Sequence, residues 1–370
     1  MLANRLKTLN PYKPGEQLKD RDYIKLNANE NAFPPPKEIV EEITNLLNTN
    51  LSALSLYPDP DSTDLRLEIA NFLNKTGGVL ANVEDAKSKL DFEITKDMIF
   101  CGNGSDEVLS FVFYAFFDED KKIITPEFSY SFYPVYAGYY GLDLEKVPLK
   151  SDFSLDTEKM LELGKDSTGM IFANPNAPTG IGLSTAEIKN MLDNFPSDKI
   201  FVVDEAYADF GTESALSLLK DYKNLLIVRT FSKSISLAGM RIGFTVGNPE
   251  LIQALTTVKN SFNHFPVDII CKTTAKAALK ASDYYEKITK EIVGTREWFS
   301  DELRKKGYFV IPSKTNFIFV KKENVPGKEI YEQVKKAGLL IRHFATPGIE
   351  DFVRITIGTK DQMDKLLNAM

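Results

Sequence analysis

The chain has 370 residues, 43% of them hydrophobic, and a formal net charge of −7. This length permits a full hydrophobic core and two domains, whereas the negative charge argues against a nucleic-acid-binding protein, because duplex binding requires a basic surface. No apolar run reaches the roughly 18 residues of a membrane span, and the N-terminus lacks the apolar core of a signal peptide. We therefore expect a cytoplasmic protein that binds neither nucleic acid nor membranes.

Cysteine and histidine are scarce in this chain. Cys101 and Cys271 lie in apolar surroundings without metal-ligand spacing, which predicts two buried free thiols in a reducing compartment. His264 and His343 are too few for a histidine-rich metal site, so we expect no metal centre. His343 adjoins Arg342 and is open to two interpretations: a residue of a substrate pocket, or an ordinary polar loop position.

The first predicted functional segment follows an apolar run at 98–101. The sequence GNGSDE at 102–107 comes next and leads into an apolar helical stretch. A strand, a glycine turn and a helix N-terminus together bind phosphate, because free backbone N–H groups and the positive end of the helix dipole face the anion. Gly104, Ser105 and Asp106 are therefore candidate phosphate contacts, although the same residues also suit a plain helix N-cap.

Two further strands are predicted downstream, each followed by polar or aromatic residues. The run at 122–125 precedes the aromatic-rich PEFSYSFY, and the run at 170–173 precedes NPNAPTG at 174–180. The two prolines and Gly180 predict a tight turn, which is either a surface turn or a preformed loop at the edge of a sheet. In the second case Asn176 would face a ligand.

Asp204 stands at the end of the next apolar run, at 201–203, and Tyr207 lies three residues further on. A lone aspartate in this position is commonly a helix cap after a strand, and a lone tyrosine is commonly a packing residue. However, Asp204 precedes Lys233, which also follows a strand, by 29 residues. This spacing suits neighbouring parallel strands that open on one crevice, where α/β sheets bind ligands.

Lys233 provides the strongest signal of the chain. It follows the apolar run at 225–228, is flanked by Ser232 and Ser234, and precedes Arg241 by eight residues. A lysine forms a Schiff base with an aldehyde, and hydroxyl groups together with an arginine hold a phosphate beside it. An aldehyde and a phosphate on one small molecule indicate pyridoxal phosphate, although a solvated loop lysine remains the alternative.

Pyridoxal phosphate gives roles to residues at the other strand ends. Its ring nitrogen requires a carboxylate to stay protonated, and Asp204 fits that role. Asn176 and Tyr207 are placed to hydrogen-bond its phenolic oxygen. An aromatic side chain between residues 128 and 133 would stack on the ring, but the residues alone do not decide which one.

The order of elements predicts an α/β protein. Short apolar strands alternate with helical stretches from about residue 97 to 247, as in a mostly parallel sheet. Residues 267–306 are helix-rich and lead to short strands between 309 and 356. We expect residues 1–45 to join a small domain, 46–265 to form a large cofactor-binding domain, and 266–370 to form the small domain with its linking helices.

Several motifs together resemble a known family. GNGSDE, NPNAPTG, VVDEAYADF (202–210) and TFSKSISLAGMRIGF (230–244) resemble the pyridoxal-phosphate aminotransferases of fold type I, class II, and more narrowly the histidinol-phosphate aminotransferases. The resemblance implies a large domain with a mostly parallel, seven-stranded sheet flanked by helices, and a smaller α/β domain built from both chain ends. Three further segments also fit this family: LNANEN (26–31), YPDPDSTDLR (57–66) and VRITIGT (353–359).

The resemblance also implies residue roles. Lys233 would be the Schiff-base lysine, Asp204 would pair with the pyridinium, and Tyr130 would stack on the ring. Tyr57 would reach the phosphate of the neighbouring subunit's cofactor, which implies a homodimer with shared active sites. The implied phosphate contacts are Gly104, Ser105, Thr230, Ser232 and Arg241, and the implied substrate contacts are Tyr12, Asn29, Arg342 and Arg354.

The implied reaction is a reversible ping-pong amino transfer between L-histidinol phosphate and 2-oxoglutarate, which gives imidazole-acetol phosphate and glutamate. Arg354 would bind the glutamate carboxylate in one half-reaction and the substrate phosphate in the other. The segments at 32–36, 77–95 and 262–266 depart from the family pattern, and the first and third bear on the substrate pocket. The alternatives are an aromatic amino-acid aminotransferase, a phosphothreonine decarboxylase and a non-catalytic pyridoxal-phosphate module of a transcription regulator.

Overall fold

The structure of the protein, a computed structural model, describes residues 2–12, 15–16, 18, 20 and 22–370. The strands in this part of the chain are Ile24–Lys25 (β1), Ile99–Asn103 (β2), Ile123–Pro126 (β3), Leu144–Val147 (β4), Gly169–Ala173 (β5), Ile200–Asp204 (β6), Leu225–Thr230 (β7), Ile242–Gly247 (β8), Tyr308–Val310 (β9), Phe317–Lys322 (β10), Leu339–Leu340 (β11), Arg342–His343 (β12) and Val353–Thr356 (β13). The helices are Glu38–Thr49 (α1), Thr63–Thr76 (α2), Val83–Lys87 (α3), Gly104–Phe116 (α4), Tyr133–Tyr140 (α5), Thr157–Gly164 (α6), Thr185–Asn194 (α7), Pro249–Phe262 (α8), Ile269–Lys280 (α9), Ser282–Lys305 (α10), Gly327–Lys336 (α11) and Lys360–Ala369 (α12).

A large, mostly parallel sheet organises the described chain. Its strand order is β2-β8-β7-β6-β5-β3-β4. The strands from β7 across to β4 pair in parallel, whereas β8 is antiparallel to its neighbours β2 and β7. The carboxyl ends of the parallel strands therefore meet at one edge of the sheet, which is where α/β sheets bind ligands.

Helices cover both faces of this sheet because its central strands are apolar on both sides. In β6, Phe201 and Val203 belong to the core on one face, whereas Ile200 and Val202 belong to the core on the other. This alternation follows from the two-residue repeat of a strand. Residues of α1, α2 and α9 pack against the first face, and residues of α4, α5 and α8 pack against the second.

A second, antiparallel sheet has the order β12-β13-β10-β9. The N-terminal strand β1 pairs in parallel with β11 beside it, and the Thr356 backbone N–H donates to the Leu26 carbonyl at 3.0 Å. The N-terminal residues thus pack with the C-terminal part of the chain. Ile39 of α1 instead belongs to the core of the large sheet, and the domain boundaries at residues 45 and 265 stay a prediction.

The predicted α/β architecture is confirmed, since the observed β2, β3, β5, β6 and β7 overlap all five predicted apolar runs. The segment at 77–95 folds as a short turn and α3, with Leu80 and Ile94 buried in the core of the large sheet. Cys101 is buried, as predicted, but Cys271 is only half-buried, and both thiols are free. Within the described ranges, no helix is both long and apolar enough to cross a membrane.

Candidate active site

Lys233 follows β7 and lies on a wall shared by two neighbouring cavities. Its amine donates a hydrogen bond to the Ala28 carbonyl at 3.3 Å, and Tyr130 and Tyr207 also border both cavities. The inner cavity has a volume of about 270 Å³ and is further lined by Ser105, Asp106, Asp204, Thr230, Ser232 and Arg241. The outer cavity has a volume of about 210 Å³ and is further lined by Tyr12, Asn27, Asn29, Arg342, Phe344 and Arg354.

One end of the inner cavity is built for an anion. Gly104 begins α4 with φ +79°, and a Cβ at this position would lie 2.6 Å from Nη2 of Arg241. The preceding Asn103 makes no side-chain cap, so the first N–H groups of α4 are left for an anion. Arg241 itself has a positive φ of 52°, a strained conformation for a non-glycine residue that is typical of functional sites.

Asp106 accepts hydrogen bonds from both Arg241 and Tyr130. Nη2 of Arg241 donates to its Oδ2 at 2.8 Å, and the Tyr130 hydroxyl donates to its Oδ1 at 2.7 Å. Thr230 and Ser232 line the same cavity, and the Ser232 N–H donates to the Thr230 hydroxyl oxygen at 3.1 Å. The residues predicted from GNGSDE and TFSKSISLAGMR are therefore brought together.

The hydroxyl of Ser234, the second serine beside Lys233, bonds within the protein. Ser234 is buried, and its hydroxyl donates to a carboxylate oxygen of Asp209. The hydroxyl is therefore occupied by Asp209, and Ser234 does not line the inner cavity. Its neighbour Ser232 does line that cavity, so the two serines that flank Lys233 have different surroundings.

The inner cavity is also lined by a buried carboxylate. Asp204 ends β6 with 4% of its surface exposed, and its oxygens accept from the Tyr133 hydroxyl at 2.9 Å and from the Ala206 N–H at 3.2 Å. Burial raises the pKa of Asp204 to about 6, although these two hydrogen bonds oppose the rise. No salt bridge to Asp204 is found within the described chain, so a cationic ring nitrogen would supply the missing counter-charge.

Tyr133 is a site residue that the sequence did not reveal. It was one of several aromatic residues after β3, and only the fold shows that its hydroxyl reaches Asp204. The N-terminal segment adds a second such residue, since Asn31 donates to the carbonyls of Lys233 and Ser234 at 2.9 and 3.2 Å. No spacing in the sequence predicts that contact, because it joins positions about 200 residues apart in the chain.

Tyr207 and Asn29 meet beside Lys233. Nδ2 of Asn29 donates to the Tyr207 hydroxyl at 2.9 Å, and Nζ of Lys233 lies 5.6 Å from the centre of the Tyr207 ring. Asn176 is buried close by but is engaged with protein groups: it donates to the Phe128 carbonyl at 2.8 Å and accepts from Ser129 at 2.9 Å. Its predicted bond to a phenolic oxygen stays a prediction.

Two arginines face each other in the outer cavity. Arg342 of β12 is directly opposite Arg354 of β13 in the antiparallel pair, an arrangement of like charges that destabilises a sheet. Burial and the neighbouring Arg342 charge lower the pKa of Arg354, whose Nε is a buried donor without a hydrogen-bond partner among the described residues. The Arg354 guanidinium also lies 5.3 Å from the centre of the Phe317 ring. An anionic ligand would reduce the repulsion between the two guanidinium groups and would accept a hydrogen bond from Nε of Arg354.

Tyr12 and Tyr57 are the other predicted aromatic contacts. Tyr12 lines the outer cavity and its ring packs 4.9 Å from that of Phe132. Tyr57 lines neither cavity; it is 82% exposed, and its ring stacks 4.6 Å from that of Phe265. Tyr57 therefore contributes nothing to the cavities of its own chain.

Comparison with known proteins decides the family. The model for aminotransferase class I and II matches residues 21–370. The chain belongs to the class I and II aminotransferases. A histidinol-phosphate aminotransferase of Syntrophus aciditrophicus is 46% identical to this aminotransferase, and the match covers 100% of the chain and 97% of the relative.

Solved structures agree with this assignment. The histidinol-phosphate aminotransferase of Clostridium acetobutylicum superposes with a TM-score of 0.80 at 25% identity, covering 94% of this chain and 97% of that one. The Sinorhizobium meliloti enzyme of the same name, solved in complex with pyridoxal-5′-phosphate, has a TM-score of 0.79 at 24% identity, with coverages of 94% and 90%. At this identity, the second likeness shows the fold alone.

Proposed function

We propose that this aminotransferase binds pyridoxal phosphate in the inner cavity and transfers the amino group of L-histidinol phosphate to 2-oxoglutarate, giving imidazole-acetol phosphate and glutamate. One observation carries the proposal: the opposed guanidinium groups of Arg342 and Arg354 lie in the cavity that adjoins the Lys233 amine. Full-length similarity to proteins named histidinol-phosphate aminotransferase supports the same substrate.

The residues that line the inner cavity suit both the phosphate and the ring nitrogen of the cofactor. The N-terminus of α4, Ser232 and Arg241 would hold the phosphate, and Asp204, a buried carboxylate without a salt-bridge partner in the described chain, would pair with the ring nitrogen. Tyr130 borders the cavity as a stacking partner for the ring. When bound, pyridoxal phosphate supplies an aldehyde that links covalently to amines and a ring that withdraws electrons from them.

The protein's own groups carry the remaining steps. Nζ of Lys233 is the base that removes the Cα proton of the amine substrate. Asp204 keeps the ring nitrogen protonated, because the ion pair stabilises both charges in a buried place. Tyr207, held by Asn29 at 2.9 Å, is fixed beside the Lys233 amine. The pair of arginines orients the substrate by its anionic end, which places the reacting carbon near Lys233.

The two arginines suit both substrates of the proposed reaction. Histidinol phosphate carries a phosphate, whereas 2-oxoglutarate and glutamate carry a carboxylate at the corresponding end, and a guanidinium binds either group through paired N–H donors. Tyr12 borders the same cavity and adds a hydroxyl donor. A single anion site can thus serve both half-reactions in turn, which is the requirement of a ping-pong enzyme.

The exposed position of Tyr57 supports a homodimer with shared active sites. Leu51, Leu54, Leu56 and Tyr57 are exposed apolar side chains of one short stretch, and we call these four residues the apolar patch. Large exposed apolar patches mark interaction sites, and a second copy of the chain would cover this one. Tyr57 would then contact the phosphate site of the other subunit. The free thiols of Cys101 and Cys271 fit the reducing cytoplasm in which we place the enzyme.

Steady-state kinetics with histidinol phosphate and 2-oxoglutarate test the proposal. Parallel double-reciprocal lines are expected for the wild type, and Lys233→Ala should lower kcat by at least about 10²–10⁴-fold, the contribution of a positioned acid–base group. Lys223→Ala is the matched control, since Lys223 is exposed and lies before β7 rather than after it. Wild-type protein without activity, or a Lys233→Ala variant as active as the Lys223→Ala control, would refute the proposal.

A further inference from the structure

A group of buried charged residues lies behind the active site, and none of its members lines the inner or the outer cavity. Nη1 of Arg229 donates to Glu205 Oε2 at 2.9 Å, and Nη2 donates to Asp209 Oδ1 at 3.0 Å. The other oxygen of Asp209 accepts the hydroxyl of Ser234. We call Glu205, Arg229, Asp209 and Ser234 the rear network.

Every member of the rear network is a close chain neighbour of a residue that borders the inner cavity. Because successive residues of a strand point to opposite faces, Arg229 lies behind the sheet while Thr230 borders the cavity. Glu205 directly follows Asp204, Ser234 directly follows Lys233, and Asp209 lies two residues after Tyr207. The network therefore joins the two segments that supply the ring-nitrogen carboxylate and the reactive amine.

The network is closed on all sides by protein groups. Oε1 of Glu205 accepts from the Ala215 N–H at 2.6 Å, and its Oε2 also accepts from the Ser214 hydroxyl at 2.7 Å. Oδ1 of Asp209 also accepts from the Leu80 N–H at 3.3 Å, a residue of the segment at 77–95. Each carboxylate thus keeps several donors, as a buried charge requires.

The stability of the fold alone does not explain why these charged residues are buried together. Burying one guanidinium and two carboxylates costs desolvation energy, and replacing a buried ion pair by apolar residues is often neutral or stabilising. What the ions provide here is a fixed geometry: Asp209 holds the side chain of Ser234 from behind, while Asn31 holds the carbonyls of Lys233 and Ser234. The backbone that carries the reactive amine is therefore held from two directions.

We propose that the rear network positions Lys233, so that its amine is held at the inner cavity, where the aldehyde of pyridoxal phosphate would attach. The inference rests on the proposed function, because it assigns the cofactor attachment to Lys233. Ser234 and Asp209 act as positioning residues and do not contact the cofactor. Loss of the Ser234 hydroxyl would release the amine from its orientation without changing the arginines of the outer cavity.

Ser234→Ala is the first test variant, and Ser300→Ala is its matched control. Ser300 is also buried, but its hydroxyl donates to the Arg296 carbonyl within α10, so the same atoms are removed away from Lys233. The readout is the rate at which added pyridoxal phosphate becomes attached to cofactor-free protein, trapped with borohydride and located by peptide mass spectrometry. Thermal unfolding of both cofactor-free variants measures the purely structural effect.

The inference predicts that Ser234→Ala slows attachment at Lys233 and lowers kcat, each by on the order of 10²-fold, the loss associated with a displacement of about 1 Å. KM for histidinol phosphate should stay at the wild-type value, and Ser300→Ala should match the wild type in every rate. Asp209→Asn keeps the side-chain size and should give the same pattern as Ser234→Ala, which guards against a folding defect in either variant alone.

Attachment rates for Ser234→Ala and Asp209→Asn equal to those of Ser300→Ala would overturn the inference. A rise in KM with unchanged kcat would also overturn it, because the network would then act on substrate binding. The proposed function fails independently: if the wild type attaches pyridoxal phosphate at Lys233 but does not convert histidinol phosphate, the attachment rates still decide whether the network positions the lysine.

Discussion

Asp204→Asn is expected to stabilise the cofactor-free protein while it inactivates the enzyme. Asp204 is buried at the end of β6, and burial raises its pKa from 3.8 to about 6. At 1.36 kcal/mol per pKa unit, this difference means that the ionised carboxylate costs the folded protein about 3 kcal/mol. Asparagine carries no charge and fits the same space, but it loses about 1 kcal/mol of hydrogen bonding. The expected net gain is about 2 kcal/mol at pH 7.5.

The sign of the pH dependence follows from the direction of the shift. Because the folded pKa lies above the unfolded one, the folded protein binds more protons between pH 3.8 and about 6. The contribution of Asp204 to stability therefore falls as the pH rises through this window and is lowest above it. The advantage of Asp204→Asn should be near its full size at pH 7.5 and should shrink toward pH 4.

Urea unfolding of the cofactor-free proteins at pH 7.5 and at pH 4.5 measures the effect, with Asp221→Asn as the control because Asp221 is exposed. Pyridoxal phosphate should reverse the order by stabilising the wild type more than Asp204→Asn, and kcat of the variant should fall by about 10²–10³-fold. Equal or lower stability of cofactor-free Asp204→Asn at pH 7.5 would refute the reasoning that this carboxylate is held without its counter-charge.

Three further predictions concern the anion sites and the dimer. Arg354→Met should lower kcat/KM for both histidinol phosphate and 2-oxoglutarate by about 10–10²-fold, since a hydrogen bond to a charged group contributes about 1.5–3 kcal/mol; a loss with only one of the substrates would argue against a common site. Gly104→Ala should cost about 1–3 kcal/mol of stability through its positive φ and weaken pyridoxal phosphate binding in a fluorescence titration by displacing Arg241; unchanged affinity would contradict the proposed phosphate site. Co-expressed Tyr57→Ala and Lys233→Ala chains should form mixed dimers with one intact site and regain activity that each variant lacks alone, whereas no recovery would count against shared sites.

The sequence was informative about the site wherever a special residue directly followed an apolar strand. Asp204 ends β6 and Lys233 follows its parallel neighbour β7. Gly104 follows β2, which runs in the same direction as β7 because both are antiparallel to β8. Strand order was not needed for this inference, because any parallel arrangement brings carboxyl ends together. The sequence therefore predicts that these residues lie at one edge of the sheet, whereas their roles toward a cofactor stay a prediction.

The sequence does not predict which way a side chain points within a turn. Ser232 and Ser234 flank Lys233 symmetrically, yet only Ser232 lines the inner cavity. The Ser234 hydroxyl instead donates a hydrogen bond to Asp209. Such a turn has no fixed period, so spacing does not tell which hydroxyl faces the ligand. The buried partner Asp209 comes from another part of the chain, and only the fold reveals it.

Contacts between distant parts of the chain were also missed. The Tyr133 hydroxyl reaches Asp204 across 71 residues, and Asn31 reaches Lys233 across 202. The opposition of Arg342 and Arg354 depends on the register of two short strands, which residue spacing does not specify. The family resemblance alone implies their roles, whereas the structure adds that two like charges lie opposite each other and line one cavity.

The most direct test of the proposed function is a single half-reaction. Purified protein in its pyridoxal form is mixed with histidinol phosphate and, separately, with phenylalanine, while absorbance follows conversion to pyridoxamine phosphate. The opposed arginines predict much faster conversion by histidinol phosphate, because only this substrate brings a phosphate to them. Faster conversion by phenylalanine would contradict the proposed substrate and indicate an aromatic amino-acid aminotransferase that uses the same lysine.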